Sequence, residues 1–280
     1  MNVNKKYSYL AKNTLLFTIA NLSNKLIVFF LLPFYTAYLS MEEYAIIDLI
    51  SITQQLIFPI VTLDITEAVI RFGIEKYNVK STIFTIGFIF TVSGNLILGI
   101  GCAAANSLFM DNSHFMLYFF VFNLVISVNT LLSSFLRTVD KVYVITIASI
   151  INTIIITILN ILLISKYEMG IKGYYISYTI GNVVAIVIMC ACVKLKEYLK
   201  KLIITDVHQY LVPMLKYAIP LIPNALFWWI NSSLDRYFLT IMSTLSSVGM
   251  YAAANKLPSV LSTLTSIFQQ SWGCLLYTSQ

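Results

Sequence analysis

The chain has 280 residues, 59% hydrophobic and 11% charged, with 18 Lys and Arg against 12 Asp and Glu for a net charge of +6. Soluble domains run at about 45–50% apolar and about 25% charged, so a water-soluble protein is excluded. The apolar runs reach the roughly 20 residues a spanning helix needs and do not alternate as barrel strands do, so the chain reads as an all-α polytopic membrane protein.

Eight spanning segments follow in order, at roughly 13–39, 44–70, 82–105, 113–136, 142–165, 171–193, 212–240 and 247–272. The first follows Lys5, Lys6 and Lys12, as a signal peptide would. It is long and carries Lys25 in its middle, so it is expected to be retained. Thr14, Thr18, Asn21, Lys25 and Thr36 share one face of it. The second segment is the most charged. Asp64, Glu67 and Arg71 lie on one face and Asp48, Gln55 and Thr62 on another, with Pro59 between the charged ends. The third and sixth carry Gly94, Gly99, Gly101 and Gly181, which suit close packing or lipid contact. The fourth has a polar stripe of Asn123, Ser127, Thr130, Ser134 and Arg137, and the fifth one of Thr146, Thr153, Thr157 and Asn160.

Residues 194–211 form a basic amphipathic connector, expected along a membrane surface. Segment seven opens on Pro220 and Pro223, which should kink it. Its polar stripe is Asn224, Trp228, Asn231 and Asp235, and Arg236 sits about 100° further round. Segment eight has Tyr251, Asn255, Ser259, Ser262 and Ser266 on one face, beside Lys256. "LSMEEYAIIDL" (39–49) and "LSSVGMYAAANKL" (245–257) share Leu-Ser, Tyr-Ala and a polar residue three positions on, a weak internal repeat.

Thirteen of the 18 Lys and Arg fall on one side of this topology, against Lys166 and Lys172 on the other. The N-terminus and the connector are therefore expected in the cytoplasm. That placement of basic residues at helix ends argues against nucleic acid as a partner. Ser, Thr and Asn in such helices most often bond across a packed bundle. Charges are different, because one at the membrane centre costs about 2.5–3.5 kcal/mol on the mildest scale. Lys25, Lys256, Asp48, Asp64, Glu67 and Asp235 are therefore candidates for a polar cavity, with Asn21, Asn224, Trp228, Asn231 and Asn255 lining it. Arg71 and Arg236 read equally as boundary anchors, and Trp228 with Trp229 as an interface belt, although Trp228 on the polar stripe equally suits a face toward a sugar. No hydrolase, zinc-protease or P-loop motif occurs, and neither Cys nor His forms a metal cluster, so no enzyme, cofactor or metal is expected.

"NKLIVFFLLPFYTAYLSMEEYAIIDLI", "LDITEAVIRF" and "YAIPLIPNALFWWINSSLDRYFL" with "VGMYAAANKLPSVLSTLTSIFQQSW" resemble the Wzx-type polysaccharide flippases of the multidrug/oligosaccharidyl-lipid/polysaccharide exporter superfamily. The resemblance runs from about Asn13 to Trp272. It implies a bacterial cytoplasmic-membrane protein that moves an undecaprenyl-diphosphate-linked oligosaccharide between leaflets by alternating access. An H+ or Na+ gradient would drive it, and a glycan polymerase or export protein would be its partner. It implies two pseudo-symmetric bundles: six helices over 1–193, the connector 194–211, and the start of a second bundle over 212–280. Helices one, two, seven and eight would line the cavity. Lys25, Arg236, Lys256 and Arg71 would meet the diphosphate, and Asp48, Asp64, Glu67 and Asp235 would balance them or couple ions. Such proteins have twelve to fourteen helices, and "GCLLYTSQ" does not resemble what should follow "FQQSW", so a C-terminally truncated second bundle is expected. The alternatives are a lipid II flippase, a teichoic-type lipid flippase or a drug/cation antiporter of the same fold. A membrane-embedded glycan polymerase would need larger outside loops than these.

Overall fold

A computed structural model describes residues 31–75, 79–109, 115–193, 204–256 and 258. Every regular element among the described residues is helical. Residues 31–38 form α1. There follow α2 (Met41–Val61), α3 (Ile65–Gly73), α4 (Lys80–Phe109), α5 (Phe115–Thr138), α6 (Val142–Asn160), α7 (Gly170–Val193), α8 (Ile204–Ala218), α9 (Leu221–Met242) and α10 (Leu245–Ala254). A π-helical turn over Ile161–Lys166 continues α6. Six stretches among the described residues are long and apolar enough to span a membrane: Met41–Val61, Lys80–Ser107, Met116–Thr138, Val142–Lys166, Gly170–Val193 and Gln209–Met242. The protein is an all-α polytopic membrane protein. Most of the first and eighth expected segments, with Asn21 and Lys25, lies outside the described residues.

The second expected segment is two helices rather than one. Ser40 starts α2 with a reciprocal cap, its hydroxyl accepting from Glu43 N while Glu43 accepts from Ser40 N. Pro59 cannot donate to the helix ladder, and the chain turns at Leu63 and Asp64, both left-handed with φ of 50° and 49°. Asp64 N donates instead to Pro59 O at 3.0 Å. Left-handed backbone at non-glycine residues costs roughly 1–2 kcal/mol each, so packing must hold this break. Part of that packing is visible at Gly94 of α4, where a Cβ would stand 1.8 Å from Val61 O. Pro220 likewise separates α8 from α9 as the residue before the new helix, while Pro223 takes a first-turn position whose N–H no helix would use.

Two apolar layers stack along the bundle. One joins α3 to α8 through Ile65, Phe84, Leu131, Phe135, Val144, Met189 and Met214. The other lies at the end where α2 begins and is aromatic, with Tyr35, Tyr44, Phe122, Tyr174 and Tyr175. Asparagine pairs join the helices: Asn123 Nδ2 donates to Asn95 Oδ1 at 2.9 Å and Asn129 Nδ2 to Asn182 Oδ1 at 2.6 Å. Asn123 and Ser127 are fully buried, so the α5 stripe serves interhelical packing. In the α6 stripe Thr146, Thr153 and Thr157 bond within the helix to carbonyls four residues back, while Asn160 reaches across to donate to Tyr35 at 2.7 Å. Lysines close two helix ends at the opposite face of the bundle. Lys80 donates to Thr138 O at the end of α5, and Lys141 to Cys192 O near the end of α7.

Among the described residues, α2 is the helix through which α9 and α10 chiefly meet the rest.

Candidate functional site

The seam between α2 and α9 is antiparallel and built in three rungs. Asp48 meets Arg236, Ile52 O accepts from Trp229 Nε1 at 2.7 Å, and Thr53 and Tyr237 join their hydroxyls. On α9 these positions, with buried Ser233, follow a spacing of four, three and one, a single helical face. That face is turned by about one residue from the stripe expected from polarity. Asn224, Trp228 and Asn231 are consequently exposed, Trp228 to 67%. Trp229 and Tyr237 were not candidates. Their signal was the amphipathic aromatic spacing around Arg236, which a search for polar residues passes over.

Asp48 is the centre of the charged group. Its side chain is 6% exposed and faces two cations: Arg236 Nε is 2.9 Å from Oδ2 and Lys256 Nζ is 3.4 Å from Oδ1. Arg236 is itself 12% exposed, and its Nη1 donates to Ser232 O at 3.1 Å and lies 3.9 Å from Asp235 Oδ1. The Asp235–Arg236 pair therefore diverges at the backbone yet converges at its tips. Asp235 is held from the other side by the Tyr251 hydroxyl of α10. The Arg236–Asp48 contact is close but off the N–H axis, so neither Nε nor Oδ2 makes a hydrogen bond. Glycine packing sets the spacing of α10, since a Cβ on Gly249 would stand 2.0 Å from Met41 O of α2.

The structure thus gathers Asp48, Asp235, Arg236 and Lys256 at one place and leaves other expected site residues elsewhere. Arg71 is exposed at the far end of α3, paired with Glu75 at 3.0 Å rather than with the site. Glu67 is exposed in the first turn of α3, and Asp64 is half-buried at the α2–α3 break. Asp64 and Glu67 do not hold the described cations; Asp48 does, because the break at Leu63–Asp64 takes α3 out of the line of α2. Asn255 ends α10 beside Lys256. Lys25 and Asn21 lie outside the described residues. An apolar crevice of 540 Å³ between α4 and α5, lined by Leu96, Ile100, Leu117 and Phe120, is separate from these charges. No cluster of three or more His, Cys, Asp or Glu suited to a metal occurs among the described residues.

A family model described as polysaccharide biosynthesis protein matches residues 10–272. The chain belongs to that family. No curated protein and no solved structure matches it. Membership in the polysaccharide biosynthesis family, together with six membrane-length helices, makes this a membrane protein of polysaccharide biosynthesis or export.

Proposed function

We propose that the protein is a flippase of the bacterial cytoplasmic membrane, moving an undecaprenyl-diphosphate-linked oligosaccharide from the inner to the outer leaflet. The observation that carries this reading is the gathering of Arg236 and Lys256 on one buried carboxylate, Asp48, between membrane helices. Cations so placed offer a diphosphate a partner in a low-dielectric region, where an opposite charge a few ångströms away is worth roughly 4 kcal/mol at an effective dielectric near 20. The protein does no covalent chemistry in this reading. It alternates between two access states on an H+ or Na+ gradient and hands the lipid-linked glycan to a polymerase or export partner. In this reading Lys25 of the first segment also serves the diphosphate. The N-terminus is cytoplasmic, supported by the bias of thirteen basic residues to two.

The test is reconstitution into vesicles holding a fluorescent undecaprenyl-diphosphate oligosaccharide, with a membrane-impermeant reductant outside. Quenching beyond the half accessible in empty vesicles is expected. Organic-cation efflux on a proton gradient, with no movement of the lipid, would establish the antiporter reading instead.

A further inference from the structure

We infer that Asp48 is an internal stand-in for the substrate's anionic group: it occupies Arg236 and Lys256 when the site is empty, and a diphosphate displaces it, removing the charged tie between α2 and its neighbours α9 and α10. The inference takes from the proposed function only that the ligand is a diphosphate.

Three observations support it. The first is chemical. Asp48 offers one carboxylate to two cations, and a diphosphate offers them more acceptor oxygens and more charge. The Arg236–Asp48 contact is also imperfect, with buried Nε and Oδ2 both short of a hydrogen bond. A buried ion pair in poor geometry gains little over its desolvation cost, so it can yield to a better partner.

The second is mechanical. Asp48 sits two turns into α2, and its partners are Arg236 of α9 and Lys256 just after α10, the two helices that reach the rest of the protein chiefly through α2. Loss of the Asp48 contacts removes the charged tie on both neighbours at once.

The third is the break at the other end. Leu63 and Asp64 are left-handed non-glycine residues directly after α2. Beyond them Ile65, Ala68 and Val69 are fully buried and anchor α3. Strain of this kind persists where surrounding packing over-determines it and is a place where a helix can change direction. Helix α2 is therefore tied by charge near its start and jointed at its end, so displacement of Asp48 loosens the start against α9 and α10 while α3 stays.

The experiment uses the purified protein in lipid nanodiscs and inorganic pyrophosphate as ligand. Asp48→Asn should bind pyrophosphate about tenfold more tightly than wild type, the factor for a tie closed nine-tenths of the time. Asp235→Asn, which removes the same charge from beside the same arginine, should gain much less. In a background with native cysteines replaced by serine, spin labels at Glu42→Cys and Met242→Cys should move apart when pyrophosphate is added. Labels at Ile74→Cys and Ile219→Cys, beyond the break, should not. The labelled pairs keep Asp48 in place, so this readout holds even if Asp48→Asn folds poorly. Equal affinity of wild type and Asp48→Asn overturns the inference. So does an equal gain in Asp235→Asn, which would be plain charge removal, or an unchanged 42–242 distance. A protein that moves lipid but fails these tests keeps the transport function and loses the exchange. One that exchanges pyrophosphate for Asp48 but moves no lipid does the reverse.

Discussion

Gly249 gives a direct measure of how tightly α10 is held against α2. A Cβ there would lie 2.0 Å from Met41 O, 2.8 Å from Met41 C and 3.3 Å from Met41 Cα. All three are backbone atoms, so no rotamer change relieves the clash. To reach the roughly 3.5 Å of ordinary contact, α10 must retreat by about 1–2 Å. Overpacking of this kind costs typically about 1–3 kcal/mol. Alanine also favours a helix over glycine by about 1 kcal/mol, which would mask part of the loss. Gly101 removes that ambiguity, because a Cβ added there meets nothing within 4 Å. Gly249→Ala and Gly101→Ala carry the same helix gain and differ only in the clash. With about 2–4 °C per kcal/mol for a chain of this size, Gly249→Ala should melt about 2–12 °C below Gly101→Ala. Detergent-solubilised protein, heated and then passed over a sizing column, reads this out. Equal melting of the two variants refutes the close approach of α10 to Met41 and, with it, the spacing that brings Lys256 to Asp48.

Two further outcomes are expected. With the native cysteines replaced by serine, Glu168→Cys should react with an impermeant maleimide from outside intact cells and Ile74→Cys should not; the reverse pattern overturns a cytoplasmic N-terminus. Lys25→Ala should lose most lipid movement at normal membrane levels while Lys166→Ala stays near wild type, as vesicle quenching would show, and a fully active Lys25→Ala would remove the first segment from the site.

The helical class follows from the length and apolar character of the runs, which any bilayer-spanning chain must have. Gly94, Gly99 and Gly181 do sit against neighbouring helices, as small residues in membrane helices should. The break at Leu63–Asp64 was not legible, because neither residue is a glycine and left-handed backbone at such positions comes from tertiary packing. The α9 face was misplaced by one residue for a related reason. Polarity points to Asn224, Asn231 and Asp235, yet what α2 covers is decided by shape and by the reach of Trp229, Arg236 and Tyr237. Asp48 was visible as a charge inside an apolar run, but its two cations lie 188 and 208 positions away and no local pattern links them. Asn123 and Asn160 join helices through Asn95 and Tyr35, as polar residues inside a packed bundle most often do.

Lys80 and Lys141 close the carbonyl ends of α5 and α7. In the proposed topology the same two lysines belong to the basic, cytoplasmic side of the chain, whose charge sets how membrane helices are oriented as they insert. One residue thus serves twice, first as an electrostatic address during biogenesis and then as a clamp in the finished bundle. The two duties draw on different chemistry, since orientation needs only the charge while the clamp needs a donor of the right length. Arginine would preserve the address and strain the clamp, and glutamine would keep a donor while erasing the address. Substitution at this face therefore separates errors of insertion from errors of packing.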